Sequence, residues 1–357
     1  MADSSDDEVP KHVLFKDRPE WKDIEPLGEY DSDEEQPVVN IEYSAEFKDC
    51  YDYFRAVAQK REYTQRVLDL TDTAIKFNPA NYTIWGYRFD TLKALEKDLR
   101  PELEYTKRII LKQPKNYQVW NYRNLIVTEL QDASNEKELT ALALAEDSKN
   151  YHAWDYRISI LRDFKMYDGE LEFATQMIED DVRNNSAWNY RDFVIHRTNN
   201  FWDGVETDVI KSEIEYTLDK ITKLMDNESA WSYLRGILAN ISGGICGSKR
   251  VNDFCHNLYY NKGNRCRFLL SFMLDCCFRD HEVTYRTKEG DERGPQLLAR
   301  IKELCLELAT EHDVTRKQYW MHLSKSFEKM IIKAELERQL YPSSEDEDST
   351  CSCSTED

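Results

Sequence analysis

A short phrase recurs along this chain and fixes what it can fold into. Asn, then Trp four places on, then Tyr and Arg, occur as Asn81-Trp85-Tyr87-Arg88, Asn116-Trp120-Tyr122-Arg123, Asn150-Trp154-Tyr156-Arg157 and Asn184-Trp188-Tyr190-Arg191. A fifth copy, Asn227-Trp231-Tyr233, carries its Arg one place later, at Arg235. The Trp-to-Trp steps are 35, 34, 34 and 43 residues. A period in the mid-thirties marks stacked helical hairpins, each packing on its neighbours so that the core grows lengthwise.

The text between the copies agrees. Asn78-Pro79 and Gln113-Pro114 stop one helix, and the motif Asn caps the next. Pro101 sits where a helix's first turn tolerates a missing N–H. The spacing predicts helix pairs over Glu62–Phe77 with Asn81 onward, Leu103–Leu111 with Asn116–Leu130, Glu136–Glu146 with Asn150–Phe164, and Gly169–Asp181 with Asn184–Arg197. The 43-residue step is read as an insertion around Thr198–Gly204 ahead of a helix at Thr207–Leu224. Two worn pairs follow, Phe254–Tyr260 with Arg265–Phe278 and Gln296–Thr310 with Val314–Leu340. The expected fold is all-α, an α–α superhelix (solenoid) of about seven hairpins forming a crescent over residues 43–340. Residues 1–42 are expected to be an acidic, largely disordered arm in which Val13–Leu27 docks as extended chain. Residues 341–357 are expected to be a disordered acidic tail.

Charge reinforces that division. The net charge is −20, but residues 1–35 hold 13 acids against Lys11, Lys16, Arg18 and Lys22, and six acids and no base lie in 342–357. The helical middle is therefore only mildly acidic, with no dominant basic surface for non-specific nucleic-acid binding. The nine Cys include no C-x-x-C, which points to reduced thiols rather than a disulfide frame or zinc site. No apolar run reaches membrane-spanning length, and the expected location is cytoplasmic.

Within a repeat, Trp and Arg three apart share a helix face. Scaffold roles suffice for both: Trp packs between hairpins and Arg meets a carboxylate next door. The residues ahead of each Trp vary more: Asn-Tyr-Thr-Ile (81–84), Asn-Tyr-Gln-Val (116–119), Asn-Tyr-His-Ala (150–153) and Asn-Asn-Ser-Ala (184–187). If Asn caps, these form first turns along one rim, with free backbone N–H groups and the positive dipole ends, and Lys115 and Lys149 beside them. Such a rim suits a phosphate or carboxylate. Plainer roles remain open there, solvated for Lys115, interfacial for His152, and core packing for Tyr117 and Tyr151. No phosphate loop, nucleophile elbow or metal-ligand cluster is present.

The pattern N-x-x-x-W-x-x-R behind a Pro-containing helix stop resembles the protein prenyltransferase α-subunit repeat. FKDRPEWKDIEPL (15–27), PVVNIEYSAEFKDCYDYFRAV (37–57), DVRNNSAWNYRDFVI (181–195) and NESAWSYLRGIL (227–238) are similar to the α subunit shared by farnesyltransferase and geranylgeranyltransferase type I. The resemblance implies a heterodimer with a β subunit that holds a catalytic zinc. Its reaction moves a farnesyl or geranylgeranyl group from the diphosphate, accompanied by Mg2+, to the Cys of a C-terminal Cys-a-a-X sequence. It further implies Lys115 on the departing diphosphate with Tyr151 near it. Tyr117 and His152 would line the peptide and isoprenoid channel, Gln118 would bind the terminal carboxylate, and Asn150 would assist. It implies no metal ligand on this chain. Family members often carry His before the motif Arg, where this chain has Tyr.

Overall fold

Asn at each motif start is a helix cap because its short amide accepts first-turn N–H groups that no carbonyl reaches. Its Oδ1 takes the amides of Thr83 and Ile84 from Asn81, of Gln118 from Asn116, of His152 and Ala153 from Asn150, and of Ser186 and Ala187 from Asn184. The computed structural model describes residues 13–29, 41–199, 207–284 and 290–340. Among them the elements are α-helices joined by short 3₁₀ and π turns, with no strand.

The chain divides into two units at Met166/Tyr167. In the first, α1 (Ala45–Lys60) precedes three hairpins: α2 (Gln65–Phe77) with α3 (Tyr82–Ala94), α4 (Arg100–Lys112) with α5 (Tyr117–Leu130), and α6 (Glu136–Glu146) with α7 (Tyr151–Phe164). The second holds α8 (Glu170–Asp180) with α9 (Asn185–Thr198), and α10 (Asp208–Lys223) with α11 (Glu228–Leu238). It continues with α12 (Lys249–His256) and α13 (Arg267–Thr284), then α14 (Gly290–Glu307) and α15 (Lys317–Leu340). Seven hairpins are thus present among the described residues. Most of the insertion, residues 200–204, lies outside them, as do the acidic stretches 1–12, 30–40 and 341–357.

Two bonding schemes register successive hairpins. In the first, the carbonyl two residues before each of Asn81, Asn116 and Asn184 takes two donors. Pro79 O accepts Trp85 Nε1 at 2.8 Å and Asn116 Nδ2 at 2.9 Å. Pro114 O accepts Trp120 Nε1 at 2.8 Å and Asn150 Nδ2 at 3.0 Å, and Val182 O serves Trp188 and Asn227 in the same way. One Asn therefore caps its own helix with its oxygen and ties itself to the previous repeat with its nitrogen. Trp85, Trp120 and Trp188 also pack on the Tyr of the next hairpin, with ring centroids 4.7 Å apart for Trp85–Tyr122, 5.0 Å for Trp120–Tyr156 and 5.1 Å for Trp188–Tyr233.

The second scheme is ionic and buried. Arg88 grips Glu102 through Nε (2.9 Å) and Nη2 (2.7 Å), while Tyr122 donates to the same carboxylate at 2.9 Å. Arg123, Glu136 and Tyr156 repeat the arrangement, as do Arg191, Glu213 and Tyr233. The free edge of each guanidinium goes to a Thr hydroxyl: Thr71, Thr106 and Thr175. Arg thus meets a carboxylate in the neighbouring hairpin, as the scaffold reading holds. The Tyr joins it there, because its hydroxyl donates to the same Glu Oε2 that the Arg Nε reaches. Burial, and then the adjacent Glu102 charge, push the Tyr122 phenol far up. Tyr87 has no such Glu; its hydroxyl bonds Val57 O and Glu62 O.

The arm departs from expectation. Val13–Leu27 is not extended: it makes two 3₁₀ turns, Phe15–Asp17 and Pro19–Trp21, because Phe15, Trp21 and Ile24 are buried together. Phe15 and Trp21 meet edge to face at 5.4 Å, and Trp21 meets Tyr53 of α1 at 5.5 Å. Arg66 locks the turn by pairing with Asp23 at 2.7 and 2.9 Å, which holds that carboxyl at about 2. In the worn sixth hairpin the logic loosens but persists. Trp231 packs on Phe272 at 5.5 Å in place of a Tyr, and Arg235 reaches Asp275 at 2.8 Å.

Candidate functional site

The N-terminal turns of α5 and α7 bring Tyr117, His152 and Tyr151 together in the first unit, Lys115 and Gln118 line one concavity with Tyr117, and the sixth candidate, Asn150, caps α7. Tyr117 and Gln118 open α5; Tyr151 and His152 open α7. The rings of Tyr117 and His152 lie 5.9 Å apart, edge to face, and His152 meets Tyr151 at 5.6 Å. Tyr117 is 57% exposed and Tyr151 70% exposed, so neither is a core residue. Packing against the hairpin stack does not account for two large aromatic rings held in water. Tyr82, at the same first-helical place in α3, is equally exposed. The shared Asn-Tyr dipeptide signals it, although the sequence argument did not select it.

Lys115 stands just before the Asn116 cap, exposed, with Nζ 3.2 Å from Asp147 Oδ2. Asp147 caps the C-terminus of α6 and is held below the usual carboxylate range, first by the Lys149 backbone N–H and then by Lys115. Lys115, Tyr117 and Gln118 line a shallow concavity whose far wall is Pro79, Ala80 and Gln113. Those wall residues come from the helix stops, where a Pro ends the preceding helix. They carry no polar side-chain signal of their own apart from Gln113.

Asn150 differs from the others. It is buried, its oxygen caps α7 and its amide nitrogen is spent on Pro114 O. Its polar atoms hold the first turn of α7, and through it Tyr151 and His152, in place. The caps also correct one expectation about the rim. The amides of Gln118, His152 and Ala153 are not free, because Asn116 and Asn150 accept them. Anion affinity at this edge therefore rests on Lys115 and the Tyr and His side chains more than on bare backbone N–H groups.

Among the described residues no three His, Cys, Asp or Glu side chains are arranged to hold a metal ion. No helix among them is long and apolar enough to cross a membrane. The arrangement is thus an exposed aromatic rim with one ammonium, a half-buried amide in Gln118 and an imidazole. It can seat a chain with apolar and carboxylate groups and stabilise an anion at Lys115, but it holds no activated nucleophile.

The family model described as protein prenyltransferase alpha subunit repeat matches residues 64–95, 99–130, 133–164, 167–198 and 210–241. Over 338 residues the chain is 40% identical to the protein farnesyltransferase/geranylgeranyltransferase type-1 subunit alpha of Solanum lycopersicum, covering 92% of this chain and 94% of that one. Its counterpart of the same name in Schizosaccharomyces pombe is 39% identical over 314 residues, 86% of this chain and 97% of the relative. Among solved structures, Candida albicans protein geranylgeranyltransferase-I complexed with GGPP matches with a TM-score of 0.71 at 28% identity, over 85% of this chain and 97% of that chain.

Proposed function

This chain belongs to the family of protein farnesyltransferase/geranylgeranyltransferase type-1 α subunits, and from that premise we propose that it is the α half of a heterodimeric protein prenyltransferase. The enzyme transfers a farnesyl or geranylgeranyl group from its diphosphate to the Cys of a C-terminal Cys-a-a-X sequence. The near full-length likeness to the tomato subunit carries this reading.

In the reaction a sulfur–carbon bond forms while the carbon–oxygen bond to diphosphate breaks, and the leaving group takes the electron pair. Negative charge grows on that diphosphate, and a fixed cation lowers the barrier because it binds the transition state better than the ground state. Lys115 is assigned that task. Its ammonium is exposed and pairs only across a surface contact with Asp147, which costs little to exchange for a more highly charged partner. Tyr151 is assigned a hydroxyl contact to the same anion. Gln118 is assigned the substrate's terminal carboxylate, and Tyr117 and His152 the walls of the peptide and isoprenoid channel. Asn150 positions Tyr151 and His152 through the first turn of α7.

Zinc makes the substrate thiol a thiolate when bound, and magnesium travels with the diphosphate. Both are assigned outside this chain's residues, zinc to the β subunit. The working location is the cytoplasm.

The test is co-expression with a farnesyltransferase β subunit and farnesyl transfer to a Cys-a-a-X peptide. Transfer that requires both chains is the expected result. A stable complex without transfer overturns the rim assignments, and failure to form any complex overturns the subunit reading itself.

A further inference from the structure

Between the C-terminal halves of α2 and α4 lies a cavity of about 360 Å³ lined by none of the residues assigned to the transfer reaction. Ile75, Ile109 and Tyr105 give it an apolar floor, and one carboxylate, Asp72, and three cations, Lys76, Arg108 and Lys112, stand around it. Lys76 is neutralised by Asp72 at 2.6 Å. Arg108 and Lys112 are exposed, and no ion pair joins either to a carboxylate among the described residues. The hydroxyl of Tyr105 is shielded from water with Asp72 beside it, while its ring lies 4.5 Å beneath the Arg88 guanidinium. Pro79 and Gln113 wall both this cavity and the concavity in front of Lys115, so the two adjoin.

We propose that this cavity is a docking pocket for an acidic peptide. An apolar side chain of the peptide enters over Ile75, Ile109 and Tyr105, and flanking carboxylates pair with Arg108 and Lys112. The local electrostatics favour that ligand over a compact dianion. Helices α2 and α4 both end at this rim, at Phe77 and Lys112, so their carbonyl ends face it. The negative end of a helix dipole opposes phosphate. Single carboxylates spaced along a peptide instead meet long cationic side chains away from those ends. An apolar floor with a few charged groups at the edge is the usual build of a side-chain pocket. The rim pairs are exposed and individually weak, so affinity is modest and falls with salt.

The proposal does not rest on the enzymatic reading, and its test is chosen accordingly. A fluorescein-labelled peptide of alternating Glu and Phe is titrated against the purified full chain by anisotropy. The Arg108→Glu/Lys112→Glu variant, altered only at exposed positions, is expected to bind about tenfold or more weakly, as two rim attractions become repulsions. Lys115→Ala is expected to bind as the wild type does. A poly-Glu peptide of equal length is expected to bind more weakly than the Glu-Phe peptide. Equal binding by the charge-reversed chain, or equal binding of poly-Glu, overturns the pocket. Displacement of the peptide by inorganic phosphate at equal concentration would assign a plain anion site and overturn the peptide reading.

Discussion

Replacing Glu136 with Gln tests whether buried ion pairs hold the hairpins in register. Arg123 and Glu136 are 2% and 1% exposed, and both bonds between them are 2.7 Å long. Tyr156 adds a third bond to Glu136 at 2.6 Å. The amide keeps the shape of the carboxylate but sets an NH2 against an N–H or O–H donor, and leaves a guanidinium charged in a site closed to water. Breaking a buried pair from one side costs about 3–5 kcal/mol. That is a large part of the roughly 5–15 kcal/mol that stabilises a typical domain. The assay is urea unfolding of the purified chain, followed by tryptophan fluorescence. Glu129→Gln is the control: its pair with Lys93 is 41% and 48% exposed and is worth at most about 1 kcal/mol. Arg123→Met combined with Glu136→Leu should recover most of the loss, since apolar residues of similar volume commonly replace a buried pair without penalty. If Glu136→Gln costs no more than the Glu129 control, the buried pair does not set register.

Lys115→Ala should slow the chemical step by about 10²–10³-fold, by analogy with the loss of one oxyanion donor, while the heterodimer still forms; an unchanged single-turnover rate removes Lys115 from the mechanism. Asn150→Ala should destabilise by about 1–2 kcal/mol through the lost cap and also raise KM, because Tyr151 and His152 sit on the turn that it holds; a stability loss with unaltered kinetics separates the cap from the site. Burial pushes the phenols of Tyr51, Tyr87 and Tyr216 up to about 12, against an unfolded value of about 10. Raised folded values mean that their contribution is complete below pH about 10 and is lost as pH climbs toward 12. Ring-labelled tyrosine NMR should therefore show these three ionising together with loss of helix, and ionisation in a still-helical chain would contradict it.

Helix positions were legible because the signals are local: a capping Asn, a Pro stop and an apolar stripe each act within one turn. Even the scaffold role of Trp and Arg followed from their shared face. The partners of that Arg were harder to see. Glu102, Glu136, Glu170 and Glu213 each stand 20 residues before their Tyr, a regularity hidden among many surface acids. The Asn nitrogen bond to the previous repeat was not readable, since a cap explains the residue completely. The arm's 3₁₀ turns escaped because burial against Tyr53, a tertiary contact, decides them. At the rim, clustering of Lys115, Tyr117, Gln118, Tyr151 and His152 followed from placing two Asn caps in adjacent hairpins. The salt contact from Lys115 to Asp147 did not, because it depends on how the end of α6 meets the start of α5.

The doubly used carbonyl, Pro79 O or Pro114 O, makes each hairpin a tile that interlocks with the one before it. Tiles can be added or removed whole, but a residue gained inside one would shear Asn from Trp and Glu from Tyr at once. Growth in length is therefore pushed to the grout between tiles. Arg191 and Glu213 are 22 residues apart where Arg123 and Glu136 are 13 apart, yet both pairs close at 2.7 Å. Descendants of this chain should accordingly vary in size at that seam, while the spacing within each tile stays unchanged.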